Sequence, residues 1–353
     1  MPDVDTASPM EPDPSVVAEP LLDAPRLGVI PGLIWAYRIL EDGTASPLAV
    51  DQPIDHSRPG WLWLHLDLTN VPATQWLARA GLPQPAMATM LSHDRHQQLH
   101  AAGSFVYGIL ADLVCEVHGI SDELGYLRFI MTEQLLMTGR HHSLAAVEAT
   151  RATIQSGATR LTHCASLLEL IVEHLADGID DIADDLAAKL DEIEDQLAVR
   201  SIGLARRNLA GVRRTSVRLH RHLSRLRAVL NRLERQGVQT LDPRLQLRAG
   251  RLVQRLDELD RAILEIRERG YRLQDEVSAT ITEEANRHLH LLSILTALLL
   301  PPTLVAGVFG MNTKGLPLTE QNSGFVWAMV LVVGSSVVAY IVLRLIGILK
   351  PRE

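Results

Sequence analysis

Residues 291–350 of this 353-residue chain read LLSILTALLLPPTLVAGVFGMNTKGLPLTEQNSGFVWAMVLVVGSSVVAYIVLRLIGILK. The first apolar run, Leu291–Phe309, has 19 residues and no charge. The second, Phe325–Leu349, has 25 residues and one charge, Arg344. A helix rises about 1.5 Å per residue, so about 20 residues cross the roughly 30 Å hydrocarbon core of a bilayer. The two runs therefore predict a hairpin of two transmembrane helices.

The loop between the two runs is too short to hold a domain, so both ends of the hairpin face the same side of the membrane. The positive charges that flank the hairpin are Arg287, Arg344, Lys350 and Arg352. The loop carries only Lys314, offset by Glu320. Because basic residues stay on the cytoplasmic side, we expect a multi-pass protein of a bacterial-type inner membrane with both termini cytoplasmic.

The rest of the composition agrees with a cytoplasmic location for most of the chain. Residues 1–26 are acidic and rich in proline, without the basic and apolar regions of a signal peptide, which predicts a disordered arm. The two cysteines, Cys115 and Cys164, indicate no disulfide framework. The net charge of −8 gives no support for nucleic-acid binding.

Residues 27–142 have the pattern of a cytoplasmic α/β domain. Residues 61–68 and 104–117 are rich in aromatic and β-branched side chains, which predicts strands, and residues 125–139 resemble a pair of strands. Helical signals lie between them, at Ala73–Ala80 and Pro85–Leu91. This mixture precedes a long helical region.

Residues 143–290 predict a coiled-coil-like stalk of long helices. Apolar residues recur about every 3.6 positions from Leu168 to Leu197, and the opposite face is acidic. Between Arg200 and Arg235 there are eleven arginines and one acid. Two readings stay open: an antiparallel hairpin with matched charges, or two solvated faces, since exposed ion pairs contribute only ~0–1 kcal/mol each.

A third helical segment leads directly into the membrane. Its apolar residues follow a heptad pattern, broken only by Gly270, and no loop signal separates them from the first span. We therefore expect one helix from about Pro243, which could occupy its first position, to Phe309. The heptad positions are Leu252, Leu256, Leu259, Ile263, Ile266, Gly270, Leu273 and Val277.

The fold class is accordingly an α+β membrane protein with an α/β domain, a long helical stalk and two transmembrane helices at the carboxyl end. The expected limits are residues 1–26 for the arm, 27–142 for the α/β domain, 143–290 for the stalk, 291–310 for the first span, 311–324 for the external loop, 325–349 for the second span and 350–353 for the cytoplasmic tail.

Two spans cannot enclose a pore, so conduction would require several copies around an axis. Thr296 and Thr303 lie one heptad apart and share a helix face, and polar residues on one stripe favour a water-filled path. The alternative is that these hydroxyls only bond their own backbone. Counting back in helical steps, the predicted pore-lining residues are Gly307, Thr303, Leu300, Thr296, Ser293 or Leu292, Leu289 and Asn286. Pro301-Pro302 predicts a kink or a freed carbonyl in this span, and the second span fits an outer, lipid-facing helix.

The string from Leu300 to Asn312, LPPTLVAGVFGMN, resembles the pore-helix signature of the CorA metal ion transporter family. In that family, a Gly-Met-Asn motif ends the first of two carboxyl-terminal spans. Magnesium-type members usually continue with an aromatic residue and Met-Pro-Glu, whereas this chain continues with TKGLPL and later GFVWA. That continuation is similar to the ZntB zinc transporters.

The resemblance implies a homopentameric funnel and a selectivity motif of Gly310, Met311 and Asn312. Five Asn312 carboxamides would ring the outer mouth and accept hydrogen bonds from the water shell of a divalent ion. Gly310 and Met311 are implied in loop geometry and support. The expected partners are further copies of the chain, the lipid bilayer and divalent cations, with no cofactor apart from the transported ion.

The expected function is uptake of Zn²⁺ driven by the membrane potential, with proton coupling open. A divalent cation moving inward gains roughly 4.6 kcal/mol at 100 mV. The alternatives are transport of Mg²⁺, Co²⁺ or Ni²⁺ by the same fold, efflux of Zn²⁺, or a membrane-anchored coiled-coil scaffold or sensor. No phosphate-binding loop or hydrolase motif is present in the sequence, so we predict no enzyme.

The histidines suggest further candidate metal sites. His288 and His290 lie just before the first span, at the expected inner mouth, and His93, His96 and His100 form the densest group. Ordinary surface or structural roles are the competing interpretation for both groups. The acidic face of residues 169–195 is a further candidate for regulatory divalent ions, with a solvated face as the alternative.

Overall fold

The computed structural model describes residues 26–116, 119–199, 201–237, 243–311 and 324–346. The chain divides into two compact units. The first comprises Met1–Gln196 and Arg207–Tyr271, and the second comprises Leu197–Arg206 and Arg272–Glu353.

The first unit contains a mixed seven-stranded sheet in the order β3-β2-β5-β9-β8-β7-β6. Strands β5 and β9 are parallel, and the other neighbouring pairs are antiparallel. A separate antiparallel pair joins β1 to β4. The strands are β1 Arg26–Leu27, β2 Leu33–Ile39, β3 Ala45–Leu48, β4 Ile54–Asp55, β5 Trp61–Asp67, β6 Gln98–Ala102, β7 Phe105–Glu116, β8 Gly119–Met131 and β9 Leu135–Arg140.

The central strand β5 explains why helices cover the sheet. Successive side chains of a strand point to opposite faces, so its leucines and its aromatic residues separate. Leu62, Leu64 and Leu66 join a core cluster that includes residues of α1 (Val71–Ala78) and α2 (Gln84–Leu91). Trp63 and His65 lie on the other face and are also fully buried. Both faces of the sheet are therefore covered.

Helix α3, Ala145–Gln155, begins over the sheet with an unusual cap. Its own N-cap residue, Leu144, provides no side-chain hydrogen bond. Asp112 of β7 supplies one instead, accepting from the Ala146 amide at 3.1 Å and from the Leu113 amide at 2.6 Å. The carboxylate thereby satisfies one amide at the start of α3, which a helix leaves without an internal partner, and one amide of its own strand β7.

Three long helices follow the sheet along the chain, and ion pairs between their parts in the first unit show their directions. Helix α4 is Cys164–Ala198, α5 is Ile202–Gly237 and α6 is Ala249–Phe309. Arg251, Arg255 and Arg269 of α6 pair with successive acids of α4, so α4 and α6 run parallel. Contacts of Arg227 with Asp257 and of His220 with Asp260 run in the opposite sense, so α5 is antiparallel to α6.

The heptad residues of α6 are buried where the sequence predicts a seam, with Leu252, Leu256, Leu259 and Ile263 between 0% and 4% exposed. The start of the helix differs from the prediction. Pro243 lies in a short 3-10 helix, Pro243–Leu245, and α6 begins six residues later at Ala249. The single long helix through the membrane segment is otherwise present, with 61 residues and a length of roughly 90 Å.

Within the part of the chain that the structure describes, two helices are long and apolar enough to cross a membrane, α6 by its last part and α7, Gly324–Leu345. In the most apolar stretch of each helix, only 0% and 6% of the residues are buried within the chain. Helix α6 continues through Pro301 and Pro302 without interruption. The limits predicted for the arm, the loop and the tail lie largely outside the described residues and stay predictions.

Candidate functional site

The predicted pore-lining residues of α6 share one exposed face. All eight of them, from Asn286 to Gly307, are exposed in the single chain. The half-buried residues of the same segment occupy the opposite side of the helix, since a helix turns by about 100° per residue. These half-buried residues are Ile294, Ala297, Leu298, Pro301, Pro302, Val305 and Phe309.

Helix α7 has a matching pattern. Its half-buried and buried positions recur every three or four residues and are rich in small side chains, which permit close helix packing in membranes. They are Ala328, Val332, Ser335, Ser336, Ala339 and Leu343. The covered faces of α6 and α7 indicate packing within the hairpin, which leaves the predicted pore-lining face of α6 turned away from it.

The hydroxyl groups on the predicted pore-lining face donate to their own helix. Ser293 donates to Leu289 O at 2.9 Å, and Thr296 donates to Leu292 O at 2.8 Å. Thr303 reaches two carbonyls, Leu299 O at 2.9 Å and Leu300 O at 2.8 Å. This is the backbone bonding that the sequence left open as an alternative. Each hydroxyl oxygen keeps acceptor capacity for water, so the observation fits either reading.

The predicted selectivity motif, Gly310-Met311-Asn312, begins where α6 ends. The Gly310 amide donates to Ala306 O at 2.9 Å and the Met311 amide to Val308 O at 3.3 Å. A Cβ at Gly310 would lie 3.1 Å from Ala306 O, closer than ordinary van der Waals contact, so glycine suits this helix end. Asn312 itself lies outside the described residues. At Gly307, by contrast, a Cβ would meet nothing within 4 Å.

The histidines before the span do not form a metal site within one chain. His288 and His290 are both exposed, but residues two apart on a helix point to different sides. Relative to the predicted pore-lining face, each is turned by about 100°. Among the residues that the structure describes, no group of three or more potential ligands could hold a metal ion.

The amino-terminal histidine group is likewise dispersed. The His93 ring contacts the His141 ring at 5.7 Å between centroids, and His96 bonds Asp94 at 2.5 Å. His100 stacks on Tyr107. These separate partners favour the structural interpretation of the three histidines over a shared zinc site.

Part of the acidic face of α4, a candidate surface for divalent ions, is paired with arginines of α6. Arg255 Nη2 lies 2.7 Å from Asp180 Oδ2. Arg269 Nη2 lies 2.6 Å from Asp191 Oδ1 and 2.7 Å from Glu194 Oε2, and these two carboxylates raise the arginine's pKa. The sequence carried a signal for this pairing, because the acid and arginine positions differ by a nearly constant 75 to 78 residues.

The layout of the α/β domain, the long helix and the hairpin can now be compared with known proteins. A family profile described as CorA-like Mg²⁺ transporter protein matches residues 59–345. The chain belongs to this CorA-like family. The match runs from just before β5 to the last residue of α7, so it includes five of the seven strands of the sheet, β5 to β9, the stalk and both candidate spans.

Curated relatives of this CorA-like protein are named for zinc. It is 27% identical over 299 residues to the zinc transport protein ZntB of Pectobacterium carotovorum subsp. carotovorum, with 83% of this chain and 89% of the relative covered. The zinc transport protein ZntB of Yersinia enterocolitica is 27% identical over 306 residues, with coverages of 85% and 91%.

Solved structures share the fold over nearly the whole chain. The full-length CmaX protein superposes with a TM-score of 0.72 and 25% identity, covering 90% of this chain and 98% of its own. The CorA magnesium transporter of Methanocaldococcus jannaschii superposes with a TM-score of 0.66 and 19% identity, covering 88% and 96%. The family and these relatives support a transmembrane protein of divalent metal ion transport, which agrees with the absence of an enzyme motif in the sequence.

Proposed function

We propose that this CorA-like protein carries Zn²⁺ across the inner membrane, with five copies arranged around a central pore. The observation that carries the proposal is the exposed face of α6 from Asn286 to Gly307, opposite to the face that the hairpin covers. A helix that presents polar residues on an uncovered stripe in a membrane needs a partner surface or water there.

Closed symmetry is the simplest way to cover such a face. Each copy would contribute one α6 to the wall of the pore and place α7 outside, against lipid. The exposed side chains of α7, such as Val330, Leu331 and Val338, are aliphatic and suit that position. The pentameric state comes from the family resemblance and is part of the proposal.

The outer mouth of the proposed pore is a ring of Asn312 carboxamides. A neutral amide oxygen accepts hydrogen bonds from the water shell of a divalent ion without the strong attraction of a carboxylate. Gly310 and Met311 would support this ring from the end of α6. The ion would enter down the membrane potential, which supplies about 4.6 kcal/mol per divalent cation at 100 mV.

Zinc is favoured over magnesium by the names of the relatives that match most of the chain. The loop after Asn312 also lacks an acid directly after Pro317. The description of the family profile favours Mg²⁺ as the second candidate. The two candidates differ in cargo and share the pore.

Flux into liposomes tests the proposal. Purified full-length protein should pass Zn²⁺ under an inside-negative potential, and Asn312→Ala should lower the rate by at least about tenfold, the effect of a ~1.4 kcal/mol loss in the conduction step. Asn322→Ala, which removes the same amide elsewhere between the spans, is the matched control and should conduct like the parent. Flux equal to that of protein-free liposomes would refute transport and favour a membrane-anchored scaffold.

The same assay separates the finer alternatives. Parallel measurements with Mg²⁺, Co²⁺ and Ni²⁺ rank the cargo, and a larger rate for Mg²⁺ than for Zn²⁺ would overturn the zinc assignment. A rate that does not respond to an imposed pH gradient would rule out proton coupling. Thr296→Val should also slow flux, whereas Thr280→Val, which removes a hydroxyl bonded to Glu276 O on another face of α6, should not.

A further inference from the structure

A groove of about 610 Å³ lies between α4 and α5 in the first unit, outside the membrane spans. Its lining combines about two turns of α4 with about three turns of α5. Most of the side chains that line it are polar or charged. The polar and charged lining residues include Lys189 and Glu192 of α4 and Arg207, Arg214, Thr215 and Arg218 of α5.

The charges of this groove are unusual for the surface that contains it. Helix α4 carries eleven acids between Glu169 and Asp195, and Lys189 is its single lysine or arginine. The fold places that lysine beside three arginines, with Glu192 as the one acid of the lining. Like charges held together in a cleft focus a positive potential, which an anion would relieve.

The arginines are arranged along a line. Arg207 and Arg214 are one heptad apart and Arg218 follows one turn later, so the three span about 16 Å of one face of α5. Gly211 lies between them, and a Cβ there would meet nothing within 4 Å, so the middle of the groove is open. Arg218 Nη2 donates to Thr215 Oγ1 at 3.5 Å, which orders one end of the row.

Arginine is suited to phosphate because its planar guanidinium donates two parallel hydrogen bonds to two oxygens. A single orthophosphate would reach only part of a 16 Å row of guanidinium groups. A chain of linked phosphates can contact more than one of these arginines at once, and its negative charge is complementary to that of the groove. We propose that the α4–α5 groove is a binding site for a soluble oligophosphate anion, such as the triphosphate part of a nucleotide.

Titration calorimetry on the full-length protein in a neutral detergent tests this proposal. The probe is sodium triphosphate with EDTA present, so that metal exchange contributes no heat. We expect saturable binding at one site per chain that weakens as NaCl is raised. Arg207→Gln and Arg214→Gln should each weaken binding about tenfold, since each removes a charge-assisted hydrogen bond to the anion.

The matched control is Arg221→Gln, which removes the same charge from an exposed position of α5 outside the groove. It should leave the affinity within about twofold of the parent, apart from the small effect of net charge. Equal weakening by Arg221→Gln and Arg214→Gln would overturn the site, because it would show attraction to the helix as a whole. Arg214→Lys should bind more weakly than the parent and more tightly than Arg214→Gln.

The rival occupant is a second copy of this chain, whose exposed α4 acids Asp181 and Asp185 are complementary to the groove. In that case triphosphate would give no heat, and the double change of Arg207 and Arg214 to glutamine would reduce the oligomer mass measured by light scattering. Absence of binding overturns the proposal whatever the mass. The assay measures no transport, so its result is independent of the proposed Zn²⁺ flux.

Discussion

Leu256 and Leu300 lie on the same helix, α6, and have opposite environments. Leu256 is 1% exposed, among the buried residues of the first unit, whereas Leu300 is 59% exposed in the single chain. Both belong to regular apolar patterns, a heptad seam and a membrane span. The pattern alone therefore does not say what covers an apolar face.

Charge distinguishes the two regions. Beside Leu256, Asp257 is paired with Arg227, and Arg255 is paired with Asp180, so polar residues alternate with the seam and bond neighbouring helices. From Leu291 to Phe309 there is no charged residue with which to do the same. The amino-terminal part of α6 is covered within its own chain. The carboxyl-terminal part is not, and the proposed function assigns its cover to lipid and further copies.

The largest expected effect on stability comes from truncating a leucine side chain in the buried part of α6, compared with one in its exposed part. Leu256→Ala removes a fully buried side chain and should lower the free energy of unfolding by about 2–5 kcal/mol. Leu304→Ala, at a position that is 66% exposed, should change it by less than about 1 kcal/mol. Denaturant unfolding of the full chain in detergent, followed by circular dichroism, measures both. Equal effects would contradict the contrast.

Much of the fold could be predicted because its elements are long and periodic. The strand at 61–68, the helix from Leu168 to Leu197 and the helix that ends at Phe309 correspond to β5, α4 and α6. The order of the strands could not be predicted, since β5 pairs with β2 and β9, which lie far apart in sequence. Tertiary contacts decide such pairings.

The helix that pairs with the acidic face of α4 could not be predicted from the sequence. The run of arginines in α5 follows α4 directly, and proximity in sequence favoured it as the matching face. In the structure, Asp180 and Asp191 of α4 instead form ion pairs with Arg255 and Arg269 of α6. The sequence predicted a start for α6 at Pro243, but α6 begins at Ala249. Pro243 instead begins a short 3-10 helix, where its fixed φ is also accepted.

The candidate pore could be predicted to the level of a helix face. Thr296 and Thr303 give the phase of the stripe, and both are exposed in the single chain. The proposed ring of Asn312 and the proposed five-fold symmetry could not follow from the periodicity of one chain. Both would depend on copies that meet at an axis, which periodicity within a single helix does not encode.

The first unit also differs from the candidate spans in holding a buried acid, Asp112. Desolvation raises the pKa of Asp112 to about 7, against the hydrogen bonds from Ala146 and Leu113, which lower it. A carboxyl whose pKa is higher in the folded state stabilises the fold at low pH, and that stability is lost as pH rises through about 7. From about pH 5 to about pH 8 the loss should be roughly 2–3 kcal/mol.

Asp112→Asn should remove this pH dependence, because the amide cannot ionise. The thermal midpoint of the parent chain, relative to that of the variant, should fall by several degrees across this range, at about 2–4 °C per kcal/mol. Asp181→Asn removes an exposed carboxylate and should follow the parent at every pH. A parent curve parallel to that of Asp112→Asn would show that this acid does not titrate on unfolding.

The smallest effect is expected where the first unit is held by exposed ion pairs. Arg269 contacts both Asp191 and Glu194, but its side chain is 31% exposed and Asp191 is 67% exposed. Solvent and salt therefore screen the attraction, and Arg269→Gln should cost only about 0.5–1 kcal/mol. The difference from the parent should shrink in high NaCl, as measured by denaturant midpoints at two salt concentrations.

Arg272→Gln, three residues further along α6 at an exposed position, is the matched change and should cost less. A loss comparable to that of Leu256→Ala would mean that charge pairing, and not the buried leucine seam, holds α6 against α4.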